Sequence, residues 1–304
     1  MNARINTPRP HDNVIGALWI LGSALFGSCM SAMAKFLGAH FDAVEVAFFR
    51  ALVGLALTLP VVLRMGRAGW AARQPLVQVF RGVLAGAVML CGFYAVAHIP
   101  LADFTVIAFT RALFVVALAA AVLGEKIHGR RTIATIIGFM GVLIIIRPGG
   151  AVGGATLVAL LGAALAAVAI MLVKLAARTD SPVSLLLYSN LVQTVMLAGP
   201  AAYYWVTPDF NQLLALVGVG ILGTLAQFCI VRGYSMAEAS AVVPFDYARL
   251  LFAAVLGYLF FSDIPDAWTW AGAAVIVGST FYIARREARL GKRGVHEPSV
   301  ERGA

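Results

Sequence analysis

The sequence predicts an all-α integral membrane protein, with ten transmembrane helices arranged as two inverted five-helix repeats around a central cavity. Three observations predict it: the apolar content, ten long apolar runs, and a pattern that recurs between the two halves. Hydrophobic side chains make up 61% of the 304 residues and charged ones only 12%, whereas soluble domains carry about 25% charged residues. This composition excludes a soluble enzyme, a disordered chain and a secreted disulfide scaffold.

The ten apolar runs are predicted to be helices, because an open strand edge leaves its backbone polar groups unsatisfied in hydrocarbon, and about 20 helical residues cross a bilayer. In chain order the predicted spans cover residues 14–38, 43–63, 76–97, 102–123, 131–147, 155–177, 182–205, 211–234, 239–261 and 267–284. The predicted organisation is an N-terminal tail at 1–13, a first repeat at 14–147, a second repeat at 148–285 and a basic C-terminal tail at 286–304.

The loop charges predict the orientation. If the N-terminus is cytoplasmic, nearly all loop and tail Lys and Arg residues lie on the cytoplasmic side, and Arg147 is essentially the single exception. Both termini are therefore expected to be cytoplasmic, in a bacterial inner membrane. The net charge of +9 is then a cytoplasmic rim that contacts anionic lipid, and no nucleic-acid partner is expected.

The two halves of the chain repeat each other. Shifts of 137 to 140 residues superpose Gly86 on Gly223, Lys35 on Lys174 and Arg50 on Asn190. Each half holds five predicted spans, and an odd number reverses the direction in which the second half crosses the membrane. Inverted repeats of this kind place a substrate site near the bilayer midplane, between the halves.

Motifs for catalysis and cofactor binding are absent from the sequence. It contains no HExxH, no CxxC and no Walker-type glycine loop, and its five histidines fall at tails or loop edges. Cys29, Cys91 and Cys229 each sit inside an apolar run, where a cysteine packs as a small hydrophobic residue. We therefore predict no enzyme activity, no catalytic residue, no metal and no cofactor.

The phrases that close the two halves resemble the EamA family of the drug/metabolite transporter superfamily. In the first half they are Ile99–Asp103 and Leu123–Ile127, and in the second Met236–Ser240 and Phe260–Ile264. The Gly-Glu-Lys-Ile sequence of the first half is typical, whereas its counterpart departs to Phe-Ser-Asp-Ile. The resemblance implies a transporter of small metabolites, several of whose bacterial relatives export amino acids. It also implies a cavity lined mainly by the first, third, fourth, sixth, eighth and ninth spans.

Charged groups inside the spans are the candidate binding residues, because burying a charge in lipid is costly unless it is paired or wet. Arg111 lies about nine residues into the fourth span, and it either holds a substrate carboxylate or is a structural arginine paired with a neighbouring span. Asp246 and Arg249 share one face of the ninth span, where they form either a functional site or a buried pair. Asp246 is also the candidate for proton coupling. Pro244 is expected to kink this helix.

Five further polar residues complete the predicted substrate site. Glu45, Arg50 and Lys35 lie toward the outer face, where a mutual salt-bridge network is an alternative to substrate binding. Tyr94 and Gln227 lie in the third and eighth spans, and interhelical hydrogen bonding is the alternative for both. The resemblance favours these two because it places their spans around the cavity.

These residues predict a secondary transporter that works by alternating access on a small-molecule substrate. Export of amino acids and related metabolites across the inner membrane is the first choice. Uptake of a nucleotide-like, sulfonium or sugar-derived metabolite is the alternative. Arg111 would meet the carboxylate of an amino acid, and Asp246 or Glu45 its ammonium group. The sequence leaves the direction of transport, the coupling ion, and the choice between monomer and dimer open.

Overall fold

The structure is a computed structural model that describes residues 10–111, 113–115, 117–118, 133, 136–138, 140–141, 143–144, 153–176, 180–236 and 245–294. Every regular element in these ranges is a helix. Within these ranges, six helices are long and apolar enough to cross a membrane, and two shorter apolar helices accompany them. The predicted fold class, an all-helical membrane protein, is confirmed. The predicted kink at Pro244 and most of the fifth span lie outside the described residues.

The described helices follow the predicted spans closely in most of the chain. They are α1 (Pro10–Leu37), α2 (Ala43–Met65), α3 (Arg67–Trp70), α4 (Pro75–His98), α5 (Leu101–Phe109), α6 (Gly154–Ala176), α7 (Pro182–Tyr203), α8 (Phe210–Met236), α9 (Ala248–Phe261) and α10 (Ala267–Gly294). Spans one, two and three correspond to α1, α2 and α4, and spans six to ten correspond to α6–α10. The fourth span is interrupted at Thr110: α5 ends at Phe109, and the described residues 111, 113–115 and 117–118 are again helical.

Local sequence explains where the helices begin and end. Asp42 accepts a hydrogen bond from the backbone N–H of Val44 and so caps α2, and Ser181 caps α7 in the same way through Ser184. The end of α9 is a Schellman turn, in which Ser262 adopts a left-handed φ of 55° and Asp263 N–H donates to the carbonyl of Gly257. This turn fixes the position of the Asp263 side chain.

Eight helices form a closed ring through their contacts. Each helix touches the next in the order α9, α1, α8, α2, α7, α4, α6, α5 and back to α9, while α10 packs on the outside against α5. If each helix is replaced by its equivalent in the other repeat, the contact α1–α8 becomes α6–α4, and the contact α8–α2 becomes α4–α7. Both of the resulting contacts are also present in the ring. The contacts α2–α7 and α5–α9 each join two equivalent helices, so the exchange of repeats leaves them unchanged. A pseudo-two-fold axis therefore passes through these two contacts, on opposite sides of the ring.

The two ends of the bundle differ in packing. We call the end where α1 finishes and α2 begins the Lys35 end, and the end where α2 finishes and α4 begins the Arg81 end. The main hydrophobic core lies at the Lys35 end and draws residues from seven helices, among them Leu37, Phe49, Phe93, Leu197 and Leu216. Contacts between α1 and α4 close this end across the ring. In the described residues no comparable contact joins α6 to α8, the corresponding pair near the Arg81 end.

Candidate functional site

Among the described residues, the helical hydrogen bonding is interrupted at a matching position in each half. In the first half, Thr110 N–H and the Thr110 hydroxyl both donate to the carbonyl of Ile107, at 3.0 and 2.6 Å, which makes a tight turn after α5. In the second half, a tight turn at Tyr247 precedes α9, and the N–H of Leu250 donates to its carbonyl at 3.0 Å. The 137-residue shift superposes Thr110 on Tyr247. The backbone stays right-handed helical at both residues, so each interruption is a 3₁₀-type tightening of the helix, and such steps often mark a functional hinge.

Charged side chains flank both interruptions. Arg111 follows the turn at Thr110, and Asp246 precedes the one at Tyr247. Their side chains form an ion pair, with Arg111 Nη2 at 3.7 Å from Asp246 Oδ2. This distance is too long for a hydrogen bond, and one third of the Arg111 side chain is exposed. The two side chains thus attract each other by charge without a direct hydrogen bond.

Arg249 completes this group from the other side of the turn. Its side chain lies against α1, where Gly27 leaves the room, because a Cβ at that position would overlap the guanidinium. Ser28 donates its hydroxyl to the Arg249 carbonyl at 3.2 Å and anchors the start of α9 on α1. Arg249 interacts electrostatically with both Asp246 and Arg111. We name Arg111, Asp246 and Arg249 the head-group site.

The head-group site has unused hydrogen-bonding capacity. Among the described residues, Asp246 Oδ1 and Arg249 Nε are both buried without a hydrogen-bond partner. Two guanidinium groups face one carboxylate, so the site has an excess positive charge. Buried polar atoms are almost always satisfied in folded proteins, so an exception calls for a partner such as a water, an ion or a ligand. The arrangement can accept a carboxylate on its arginines while Asp246 accepts from an ammonium group.

A second polar contact joins α2 to α7. Arg50 Nη1 donates to Asn190 Oδ1 at 3.4 Å. Arg50 also lies against α8, where a Cβ on Gly223 would be 3.1 Å from its Nε. Asn190 in turn faces Gly54, with its side-chain atoms 3.1 to 3.2 Å from a Cβ built there. Glycine on both neighbouring helices therefore lets these two polar side chains lie between the helices.

The two polar groups share one layer of the bundle. Arg249 lies one turn before the core residue Ala253 on α9, and Asn190 lies two turns before Leu197 on α7. Both offsets lead away from the Lys35 end. Arg111 is ten residues from Leu101, which begins α5 at that end, and ten helical residues span about 15 Å. This depth is about half of a hydrocarbon core of about 30 Å.

Lys35 belongs to a different cluster, at the Lys35 end. Its Nζ pairs with Asp263 and donates to the carbonyl of Ile99 at 3.1 Å, and it lies 5.0 Å from the ring centroid of Phe261. Asp263 Oδ2 also accepts from the N–H of Leu101 at 3.2 Å. These contacts connect α1, the α4–α5 turn and the end of α9. Lys35 is therefore bonded between the two halves and does not face the head-group site.

The proposed mutual network of Lys35, Glu45 and Arg50 does not form. Glu45 is fully buried, and its Oε2 accepts from the N–H of Val206 at 3.2 Å, while Oε1 lacks a partner. Lys35 bonds to Asp263, and Arg50 to Asn190. The reason is helix rotation: each side chain points to a different neighbour, although all three are close in sequence. The alternative in which Asp246 and Arg249 only neutralise each other also differs from the structure, where Asp246 pairs with Arg111.

In the described part of the chain, neither Tyr94 nor Gln227 forms a hydrogen bond or ion pair with either polar group. Tyr94 is on α4 near the Lys35 end, where its ring stacks on His98 at a centroid distance of 4.3 Å. Gln227 is exposed on α8, one turn beyond Gly223. Four residues that contact or position these polar groups were not among the predicted site residues, namely Thr110, Gly27, Ser28 and Asn190. The sequence did carry a signal for two of them, since the repeat pairs Thr110 with Tyr247 and Arg50 with Asn190.

Comparison with known proteins agrees with this architecture. The EamA-like transporter family matches the chain twice, over residues 14–147 and 154–285. A solved crystal structure is similar over 95% of this chain and 100% of its own, with a TM-score of 0.60 and 20% sequence identity. At that identity the similarity concerns the fold alone.

Three curated relatives differ in what they carry. The S-adenosylmethionine uptake transporter of Rickettsia bellii is 32% identical over 90% of this chain and 95% of its own length. The riboflavin transporter of Brucella anthropi is 31% identical over 81% of this chain and 89% of its own. The pseudopaline exporter CntI of Pseudomonas aeruginosa is 32% identical over 88% of this chain and 95% of its own. Both inward and outward transport therefore occur among similar chains.

Proposed function

The chain belongs to the EamA-like transporter family and is a multi-pass membrane transporter rather than an enzyme, and on this premise we propose that it carries small metabolites containing an α-amino acid group, by alternating access. The observation that carries the proposal is the head-group site of Arg111, Asp246 and Arg249, beside two matched helix interruptions. An α-amino acid offers the two charges that this site lacks: a carboxylate for the arginines and an ammonium group for Asp246.

S-adenosylmethionine is the first substrate to test. It contains an α-amino acid group, and the Rickettsia relative is named for its uptake. Export of free amino acids or related metabolites is the second candidate, and the exporter among the relatives favours the outward direction. Both candidates use the head-group site in the same way, so the site does not decide the direction. Direction follows from gradients and coupling.

Packing and charge support a proposal for the side of the membrane to which the substrate site is closed. The Lys35 end holds the main core and the α1–α4 contact, so this conformation is closed there. Basic residues such as Arg64, Arg67 and Arg73 lie at the Arg81 end, which we assign to the cytoplasm of a bacterial inner membrane. The conformation is then closed to the periplasm. Alternating access requires a second conformation, in which the halves rock and the Lys35 end opens.

Counterflow in liposomes tests the proposal. Purified protein is reconstituted with unlabelled compound inside, and entry of labelled S-adenosylmethionine is measured at two external pH values. Unlabelled L-methionine is expected to compete, whereas S-adenosylmethionine without its carboxylate is not. In Arg111→Ala, transport is expected to fall roughly 10- to 100-fold, because a charged hydrogen bond contributes about 1.5–3 kcal/mol.

The matched control is Arg64→Ala, which removes an exposed arginine at the end of α2 and leaves the head-group site intact. Size-exclusion chromatography of both variants checks that the protein remains folded. Unchanged transport in a folded Arg111→Ala protein would contradict the proposed role. Equal competition by the decarboxylated compound would show that the site does not recognise an amino acid group.

A further inference from the structure

The second polar contact occupies a special place in the ring. Arg50 and Asn190 are equivalent positions of the two repeats, since the 140-residue shift superposes them. Their side chains nevertheless meet each other, between α2 and α7. Equivalent residues of two repeats meet only where the pseudo-two-fold axis passes. The contact therefore lies on that axis, and the head-group site lies beside the α5–α9 contact, on the opposite side of the ring.

The helix α1 connects the two sites. Gly27 lies against the Arg249 guanidinium, and Met30, one turn further along α1, lies 2.9 Å from a Cβ built on Gly223. Arg50 lies against the same position on α8. Residues three apart lie on the same face of a helix, so Gly27 and Met30 bring the two sites to neighbouring positions on one face of α1. One metabolite can therefore reach both.

The charges of this layer do not cancel. Arg50 hydrogen bonds to an amide, and the nearest acid on its own helix, Glu45, bonds to the backbone of Val206 instead. Arg111 and Arg249 share the single carboxylate of Asp246. Among the described residues of the layer, three arginines therefore face one acid. A cation in the middle of a membrane protein is costly unless an anion or water compensates it.

We propose that Arg50 and Asn190 bind a second oxyanion of the substrate, a carboxylate or a phosphate, while the head-group site binds its α-amino acid group. The inference rests on the proposed function and narrows its substrate class to amino-acid metabolites with an additional negative charge. Arg50 supplies the charge, and the Asn190 amide supplies a further donor. A zwitterionic head adds no net charge to the layer, so a second oxyanion is the group that compensates Arg50.

Matched compounds that differ only in the second oxyanion test this proposal. The pairs are glutamate with glutamine, O-phosphoserine with serine, and γ-glutamylglutamate with γ-glutamylglutamine. S-adenosylmethionine is the compound whose far end is cationic. The readout is the concentration of each compound that gives half-maximal thermal stabilisation of the purified protein. The acidic member of at least one pair is expected to bind at least about tenfold more tightly. The phosphate and carboxylate pairs separate the two oxyanions.

Variants assign the preference to Arg50. Arg50→Gln is expected to weaken the acidic members much more than the neutral members and so to abolish the difference between them, and Arg50→Lys is expected to retain part of that difference. Arg64→Gln, at an exposed position of the same helix, is the matched control. Arg111→Ala is expected to weaken all compounds, because it removes the head-group contact.

The outcomes separate this inference from the proposed function. Equal binding within every pair, or tighter binding of S-adenosylmethionine than of every acidic compound, would overturn the second oxyanion site and leave the head-group site standing. Equal weakening of acidic and neutral compounds by both Arg50 variants would show that Arg50 is structural, and would also overturn it. Binding of none of the amino-acid compounds would contradict both proposals.

Discussion

Buried charges are paired differently at the Lys35 end and in the polar layer beneath it, which consists of Arg50, Asn190 and the head-group site. At the Lys35 end, Lys35 and Asp263 pair with each other, and each also bonds to a backbone group, Ile99 and Leu101 respectively. In the polar layer, Asp246 and Arg249 both keep buried atoms without partners. The charges of Lys35 and Asp263 are thus hydrogen bonded within the protein, whereas among the described residues the polar layer keeps unused hydrogen-bonding capacity.

This difference assigns roles that sequence position alone does not. A charged residue whose bonds are all made inside the protein stabilises an arrangement of helices, and Lys35 does so by connecting the two halves. A charged residue with unmet bonds beside a helix interruption is suited to a substrate. Lys35 is thus proposed as a closing contact of this conformation, and Arg111, Asp246 and Arg249 as the substrate site.

The largest effect on transport is expected from the variant Gly27→Ala, which alters the polar layer and leaves the Lys35 end intact. The new Cβ would overlap the Arg249 guanidinium and lie 2.8 Å from its Cζ, so the side chain must move away from Asp246. Transport is expected to fall roughly 10-fold or more, with the protein still folded, because displaced charge contacts contribute about 1.5–3 kcal/mol. Counterflow in liposomes measures the loss.

The matched control for this variant is Gly199→Ala on α7, where an added Cβ has no atom within 4 Å. That substitution is expected to leave transport unchanged and to stabilise the helix slightly, since alanine is the better helix former. If Gly27→Ala transports as well as Gly199→Ala, the position of Arg249 is unimportant for binding.

A smaller effect, on stability instead of substrate binding, is expected at the Lys35 end. Asp263→Asn leaves Lys35 without its counter-ion and is expected to cost about 3 kcal/mol, because the pair is largely buried. Thermal unfolding in detergent measures the loss. The double variant Lys35→Met with Asp263→Asn is expected to recover part of it, since no unpaired charge remains. If the double variant loses as much stability as Asp263→Asn and Lys35→Met lose together, the two residues are not coupled.

The smallest effect is expected from Glu45→Gln. Glu45 is buried at the Lys35 end, and the glutamine carbonyl can still accept from the N–H of Val206. Stability is expected to change by less than about 1 kcal/mol, and transport is expected to stay within about twofold of the unsubstituted protein. A large loss of transport would instead indicate that Glu45 binds the substrate, as the partner of its ammonium group.

Much of the site could be predicted because intramembrane charge is rare. Arg111, Asp246 and Arg249 are conspicuous in apolar runs, and the structure brings them together at one depth. Their pairing could not be predicted, because Arg111 and Asp246 are far apart in sequence. Gly27 and Ser28 carried no chemical signal of their own. Their role follows from the packing of α9 on α1.

The sequence by itself determined that the chain is a helical membrane protein with two related halves. Hydropathy and backbone hydrogen bonding in lipid act on each segment locally, so they can be evaluated along the chain. The predicted repeat boundaries, the orientation and the two cytoplasmic ends rest on the same kind of evidence and stay predictions. Tertiary structure decided which charges meet. Pairing depends on how each helix is rotated against its neighbours, which is why Lys35 bonds to Asp263 and Arg50 to Asn190, and neither to Glu45.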